Sequence, residues 1–192
     1  MNNITLLIAT YKQVPSEAYA CALQLAQTGI PLIIKGGLDL ENSRYELAKL
    51  AVKYGEETLF WLDDDHVFTL AQCQDLWKHF KESKYDALHG MTFARANPSR
   101  LLCLKDDKYL ELDEGQGIVN CDVTPFGFLM IKKSVIKRAL KEFGTEMFKT
   151  AFINKKFESG DTMFYKRLQE HNYKLKIGVD TDIRIKHCGA VV

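Results

Sequence analysis

Three consecutive aspartates and a histidine follow a run of large apolar residues in the stretch TLFWLDDDHVF, Thr58 to Phe68. Carboxylates crowded at the end of a buried strand repel one another and are desolvated by their neighbours, so they need a compensating charge. A divalent cation supplies that charge, and Mg²⁺ or Mn²⁺ prefers oxygen ligands, completed in part by a substrate's phosphates. An acidic turn that caps the next helix explains the same residues, so the triplet alone leaves both interpretations open.

The backbone of this stretch predicts which carboxylates act together. Side chains alternate between the two faces of an extended segment. Asp63 and Asp65 are therefore expected to point toward one ligand, with Asp64 on the opposite side. Asp64 is the aspartate that we expect to be replaceable.

The elements before the acidic stretch predict its position in the fold. ITLLIAT, IPLIIK and TLFWL are apolar runs of strand length, and two amphipathic helices separate them, about Ser16–Thr28 and Ser43–Tyr54. The alternation of strand and helix predicts a parallel sheet with right-handed crossovers. Such sheets bind ligands at the carboxyl ends of their strands, where the acidic triplet and Thr10–Tyr11 would both lie.

The second half of the chain is less regular. Thr69 is predicted to cap a helix, RLLCLKDDKYLEL to form a hairpin that turns at Asp106–Asp107, and TPFGFLMIKKSV to run from a strand into a basic helix. A loop rich in Phe and Lys precedes a helix that opens at Asp161, and two strand-like segments follow. We predict one α/β domain over residues 1–192, with a parallel half (1–68) and a mixed-sheet half (69–192).

Composition argues against several classes of protein. The 192 residues carry 26 basic and 25 acidic side chains, a net charge of +1, so no bulk field favours nucleic acid. Five scattered cysteines without a CxxC pair argue against a zinc ribbon and favour a reduced, cytoplasmic chain. MNNITLLIATYKQ predicts a first strand rather than a signal peptide, and no apolar stretch approaches the roughly 20 residues of a membrane span.

A series of stretches in the correct order resembles the GT-A glycosyltransferases, in particular the inverting family-2 enzymes. FWLDDDH resembles their Asp-x-Asp motif, TLLIATYK their opening strand and nucleotide-contacting loop, and ENSRYELAKLAVKYG the helix that contacts the nucleotide sugar. TPFGFLMIKKSV resembles the segment beside the acceptor pocket, ESGDTMFYKRLQEHNYKLKIGVD the helix with the catalytic carboxylate, and IKHCG the terminal histidine of the metal site. The resemblance covers nearly the whole chain and implies the Rossmann-like GT-A fold.

The resemblance implies a metal site. Asp65 and His187 would ligate the cation, and Asp63 would contact the ribose of the donor or the metal's water shell. A nitrogen ligand in a set of oxygens favours Mn²⁺ over Mg²⁺. The alternative for His187 is an exposed histidine near the chain end.

The resemblance also implies a catalytic base. Asp161 corresponds to the carboxylate that takes the proton from an acceptor hydroxyl as this oxygen attacks the anomeric carbon, with inversion. The family's Glu-Asp pair is replaced here by Gly160-Asp161, so Glu158 is a rival for the base. Plain capping of the helix is the alternative role of Asp161.

The donor implied by the resemblance is a UDP- or GDP-sugar. Tyr11 would stack on the base and Arg44 would pair with phosphate oxygens, although a core-edge tyrosine and a surface arginine remain alternatives. The full set of nucleotide-sugar candidates is Thr10, Tyr11, Arg44, Asp63, Asp64 and Arg95.

The acceptor would be a carbohydrate, a lipid-linked molecule or a protein. Gly127 and Phe128 are expected at its pocket, although a glycine in a strand also marks a bulge. The aromatic loop around Phe143, Phe148, Phe152 and Phe157 is either a lid over the acceptor or part of the core. The basic helix that begins near Lys133 presents either a solvated face or a peripheral contact with anionic lipid.

Two other functions use the same acidic residues. LFWLDDDHV also fits the haloacid-dehalogenase-type phosphatase pattern, in which Asp63 is the nucleophile and Asp65 its acid/base. That family carries the motif on its first strand, whereas two strand–helix units precede it here, and no second carboxylate follows GDTMF. A non-catalytic, metal-dependent carbohydrate-binding domain would need the carboxylates of the triplet but no base at Asp161.

Overall fold

A mixed β-sheet with helices on both faces organises the chain. The structure is a computed structural model that describes residues 3–10, 15–94, 100–153 and 155–188. Its helices are α1 Ser16–Ala26, α2 Leu40–Tyr54, α3 Leu70–Glu82, α4 Lys133–Phe143 and α5 Gly160–Glu170, with a 3₁₀ turn at Gly144–Phe148. Its strands are β1 Ile4–Ala9, β2 Leu32–Lys35, β3 Thr58–Asp63, β4 His66–Val67, β5 Ala87–Thr92, β6 Leu104–Lys105, β7 Lys108–Tyr109, β8 Ile118–Cys121, β9 Phe128–Lys132, β10 Ala151–Ile153, β11 Lys156–Glu158 and β12 Ile177–His187.

The first half of the sheet is parallel, as the sequence predicts. β1 lies between β2 and β3, and all its side chains are buried because helices cover both faces of this strand. The α2 helix begins at Leu40 rather than Ser43, because the Asp39 side chain accepts the Asn42 N–H and caps an earlier turn. The α1 helix begins at Ser16, as predicted, but it follows Pro15 and has no side-chain cap.

The second half of the sheet is mixed. The main sheet runs in the order β2-β1-β3-β9-β5-β12-β4, with β9 antiparallel to both β3 and β5. The two predicted terminal strands are one strand, β12, which runs parallel to β5 and carries a bulge between Asp180 and Arg184. The α/β prediction is confirmed.

The predicted cap of α3 and the predicted turn between β6 and β7 are confirmed. Thr69 and Gln72 form a capping box at the start of α3. Asp106 and Asp107 both have positive φ angles, 51° and 59°, and join β6 to β7 in the predicted hairpin. The loop rich in Phe and Lys is partly wrong, because it contains a second hairpin of β10 and β11.

The core has one layer on each face of the sheet. α1 and α3 cover one face, where Phe60 and Phe128 pack, and α2, α4 and α5 cover the other, where Trp61 lies. Adjacent residues of β3 thus serve opposite layers, which explains why this strand is apolar without alternation. Within the described residues, no helix has the length and apolar character needed to cross a membrane.

Candidate active site

The carboxyl ends of β1 and β3 meet at one edge of the sheet. Ala9 and Asp63 are register partners at the last position of the parallel pair. The Asp63 N–H donates to the Gly127 carbonyl at 2.9 Å, which joins this edge to the segment before β9. Thr10 follows Ala9, and its N–H donates to the Lys35 carbonyl at 2.9 Å. Thr10 and the acidic triplet therefore lie at the same edge of the sheet, as predicted, and the binding of a ligand there stays a prediction.

The aspartate triplet is not an extended segment. β3 ends at Asp63, Asp64 and Asp65 form a turn, and β4 begins at His66. The alternation argument for these three side chains is therefore wrong, because it requires an extended backbone. The turn is held from outside: the Cys188 N–H donates to the Asp65 carbonyl at 2.7 Å.

A cluster of three metal-ligand side chains forms where β4 pairs with the end of β12. His66 and His187 are antiparallel register partners, and their ring centroids are 4.3 Å apart. Asp65 Oδ1 lies 3.4 Å from His66 Nδ1. One ligand atom from each of Asp65, His66 and His187 lies within 4.8 Å of the others. Two imidazoles and a carboxylate suit Mn²⁺ and similar transition metals better than Mg²⁺, so these residues fit the implied cation.

Gly127 permits this arrangement. A Cβ atom built on Gly127 would lie 2.3 Å from Cε1 of His66 and 2.9 Å from Oδ2 of Asp63. Any side chain at this position would therefore displace the imidazole or the carboxylate. Phe128, the other residue predicted at the acceptor pocket, is fully buried with its ring centroid 4.9 Å from that of Phe60. Contact of either residue with an acceptor stays a prediction.

Arg44 joins two carboxylates that are far apart in sequence. Its Nη2 donates to Asp63 Oδ1 at 3.0 Å, and its Nη1 forms an ion pair with Asp161 Oδ1. Arg44 is 5% exposed, and its Cζ lies 5.6 Å from the centre of the Phe126 ring. Because both terminal nitrogens contact carboxylates, the predicted contact of Arg44 with donor phosphates stays a prediction.

One guanidinium cannot neutralise both of these partly buried carboxylates, and their pKa values separate accordingly. Burial raises the pKa of Asp161 above its usual value, and the nearby charge of Asp63 adds to this effect, against the opposing pull of Arg44. Burial also opposes ionisation of Asp63, but Arg44 and the neighbouring imidazoles outweigh it, so the pKa of Asp63 is lowered. Asp63 is therefore the stable anion of the pair, and Asp161 is the carboxylate with the greater affinity for a proton.

The two candidates for the base occupy different surroundings. Asp161 lies in the first turn of α5, which Ser159 caps, and its Oδ2 is 3.4 Å from the Phe126 N–H. Glu158 is buried on the inner side of the β10–β11 hairpin, where its Oε1 lies 3.2 Å from Lys166 Nζ and 3.4 Å from Lys156 Nζ. The structure thus brings Asp161, but not Glu158, into contact with Arg44.

The remaining predicted residues are placed only in part. Tyr11 and Arg95 lie outside the described residues. Asp64 is partly exposed in the turn, and Thr10 is partly exposed at the edge of the sheet.

Sequence reasoning missed two histidines. His66 follows the aspartate triplet directly, so the signal DDDH was present, but its pairing with His187 depends on a contact across the sheet. His89 is fully buried in β5, with Nε2 3.0 Å from Thr92 Oγ1. Burial, with the nearby imidazoles of His66 and His187, lowers the pKa of His89 to about 3. A histidine within an apolar strand gives no local signal for this environment.

Comparison with known proteins supports the fold. No family model and no curated protein sequence matches the chain. Among solved structures, A197 from STIV matches with a TM-score of 0.67 and 15% identity over 96% of this chain and 85% of that one. GalNAc-T7, solved with UDP, GalNAc and Mn²⁺, matches with a TM-score of 0.61 and 9% identity. That match covers 98% of this chain but only 43% of GalNAc-T7. The chain therefore shares a fold with a glycosyltransferase.

Proposed function

We propose that this chain is a metal-dependent glycosyltransferase that moves a sugar from a nucleoside diphosphate sugar to an acceptor hydroxyl with inversion. The observation that carries the proposal is the ion-pair bridge from Asp161 through Arg44 to Asp63. Asp63 is followed by the turn that leads to the Asp65, His66 and His187 cluster. A candidate base and a candidate metal centre thus belong to one connected site. If the aspartate triplet were only an acidic turn, no such connection would be expected.

Asp161 has the environment of a general base. Arg44 contacts Oδ1 of Asp161, and Oδ2 has only a long contact with a backbone N–H. Oδ2 is therefore the oxygen that accepts the proton in this proposal. As the acceptor oxygen forms its bond to the anomeric carbon, its proton moves to Asp161, and the bond from that carbon to the diphosphate breaks. The raised pKa of Asp161 favours this transfer because a stronger base accepts the proton more readily.

Arg44 has a positioning role in this proposal. Its two terminal nitrogens fix the orientation of both carboxylates, and burial limits the movement of its side chain. Asp65, His66 and His187 would hold the divalent cation, which when bound neutralises negative charge that grows on the departing diphosphate. GalNAc-T7, whose structure carries UDP, GalNAc and Mn²⁺, supports this class of donor and metal.

In this proposal each half of the chain binds one of the two substrates. Residues 1–68 would bind a UDP- or GDP-sugar, and residues 69–192 would supply the base and the acceptor site. The acceptor hydroxyl belongs to a carbohydrate, a lipid-linked molecule or a protein. The scattered cysteines support a reduced, cytoplasmic compartment.

Metal-dependent nucleotide binding is the first test. We expect UDP or GDP to raise the melting temperature of the chain in the presence of Mn²⁺ and not in its absence. His66→Ala should abolish that increase, whereas the matched change Asp64→Asn should keep most of it. If no nucleotide shifts the melting temperature and the chain releases phosphate from phosphomonoesters in a way that Asp63→Asn abolishes, the phosphatase alternative is correct.

Assignment of the base is the second test. Asp161→Asn should keep metal-dependent nucleotide binding and lose sugar transfer, whereas Glu158→Gln should keep both. Loss of transfer in Glu158→Gln alone would show that the base is misassigned. A chain that binds sugars with metal, shows no transfer and is unaffected by Asp161→Asn would be a binding domain.

A further inference from the structure

The β10–β11 hairpin presents two phenylalanines to solvent. Phe152 and Phe157 are direct cross-strand partners, and their ring centroids are 5.5 Å apart. Phe152 is 78% exposed and Phe157 is 56% exposed. An aromatic pair of this size gains stability by leaving water, yet nothing in the described part of the chain covers these rings.

The direction of the rings follows from the strand register. Residues next to each other on a strand face opposite sides. Glu158 of β11, the neighbour of Phe157, is buried and contacts Lys166, so its side faces the body of the protein. The phenylalanines therefore occupy the outer face of the hairpin.

The base of the hairpin is held firmly. The Thr150 N–H donates to Glu41 Oε1 of α2 at 2.9 Å. Arg167 Nη1 of α5 donates to the Lys149 carbonyl at 2.9 Å. Because both helices bind the base, the exposed rings are presented by an anchored element.

Basic side chains predominate within the hairpin itself. The segment from Lys149 to Phe157 contains three lysines, at positions 149, 155 and 156, and no acidic residue. Lys155 and Lys156 are exposed near the turn of the hairpin. The first acidic side chain after them, Glu158, is buried and paired with lysines, so it adds little negative charge to the surface. The hairpin is thus an exposed aromatic surface with a lysine, Lys155, beside its turn.

We propose that this hairpin docks on an anionic lipid bilayer. The rings of Phe152 and Phe157 enter the boundary between headgroups and acyl chains, and Lys155 contacts lipid phosphates. A two-fold contact with a second copy would place lysines opposite lysines.

Docking at this point would bring the candidate base close to the membrane. β11 ends at Glu158, and Asp161 follows three residues later. If the proposed function holds, on which this step alone rests, the acceptor is a hydroxyl carried by a membrane lipid. Vesicle binding itself requires neither the metal nor a nucleotide sugar, so it can be tested separately.

Sedimentation of the whole chain with vesicles tests the proposal. We expect binding to vesicles of phosphatidylcholine mixed with phosphatidylglycerol, and much weaker binding to phosphatidylcholine alone. Phe152→Ser/Phe157→Ser should lower the partition coefficient at least about tenfold, because both apolar anchors are lost. Lys155→Gln should lower it about fivefold on anionic vesicles only.

A matched variant separates docking from general hydrophobicity. Tyr19→Ser/Tyr54→Ser also removes two exposed aromatic rings, which are 53% and 64% exposed. Tyr54 ends α2, whereas the hairpin contacts the start of that helix, roughly 20 Å away. This control should bind vesicles like the unaltered chain.

Three results would overturn the proposal. The first is equal binding to neutral and anionic vesicles or no binding to either. The second is equal loss of binding in both double variants. The third is a dimer in analytical ultracentrifugation that Phe152→Ser/Phe157→Ser dissociates, combined with no vesicle binding, which would show that a second copy covers the rings. Unchanged circular dichroism of the variants would confirm that they fold, since both rings lie outside the core.

Discussion

Replacing Arg44 by methionine should destabilise the protein strongly, because it leaves two carboxylates without their shared cation. The side chains of Asp63 and Asp161 are 26% and 18% exposed, so water replaces the guanidinium only in part. Removing one partner of a buried ion pair costs about 3–5 kcal/mol. Without the guanidinium between them the two carboxylates also repel each other, and charges roughly 5 Å apart repel by about 3 kcal/mol at an effective dielectric constant of about 20. Because both carboxylates keep some contact with water, we expect Arg44→Met to lower the free energy of unfolding by about 3 kcal/mol, the lower end of the range for a broken buried ion pair.

Urea unfolding at about pH 8, where carboxylates are normally ionised, measures this loss. For a chain of this size it corresponds to a fall in melting temperature of roughly 6–12 °C. The diagnostic variant is Arg44→Met/Asp161→Asn, which removes one of the two charges. It should recover about 2 kcal/mol of the loss, since the repulsion between the carboxylates disappears.

The matched control is Arg184→Met. Arg184 forms an ion pair with Glu114, but both side chains are more than half exposed. Its replacement should change the free energy of unfolding by less than about 1 kcal/mol. A cost below about 1 kcal/mol for Arg44→Met, or a further loss on adding Asp161→Asn, would refute the view that Arg44 compensates two buried charges.

Three further predictions concern single residues. Gly127→Ala should weaken Mn²⁺ binding at least about tenfold, measured by calorimetry, because the new methyl group displaces the buried imidazole of the metal cluster. Gly178→Ala, another tightly packed glycine, should lower stability and leave Mn²⁺ binding unchanged. His89 has a pKa of about 3 when folded and 6.5 ordinarily, so unfolded chains bind its proton first, and stability falls as pH drops from 6.5 toward 3. His89→Leu should therefore reduce the loss of unfolding free energy between pH 7 and pH 5 by about 2 kcal/mol, which urea unfolding at the two pH values measures. The acidic limb of kcat/KM for sugar transfer should lie above the ordinary aspartate value of 3.8, because protonated Asp161 is not a base, and a limb at or below that value would exclude Asp161.

Local features of the fold could be predicted because neighbouring residues specify them. The apolar runs of β1 and β3 predicted strands buried on both faces. The capping box at Thr69 and the turn at Asp106–Asp107 depend on side chains and backbone angles within a few residues. The start of α2 was predicted too late, at Ser43, because Asp39 caps the helix at an earlier turn.

In the candidate site, too, the features that depend on neighbouring residues could be predicted, and those that depend on distant contacts could not. By itself, the sequence determined that carboxylates end a buried strand and that Asp161 begins a helix, since both depend on local pattern. Only the tertiary structure joined Arg44 to Asp63, 19 residues away, and to Asp161, 117 residues away. It also decided that His66 meets His187, because β4 pairs with the end of β12, and that Phe152 and Phe157 face solvent. Such contacts depend on strand order and register across the whole sheet, which no local propensity of the residues encodes.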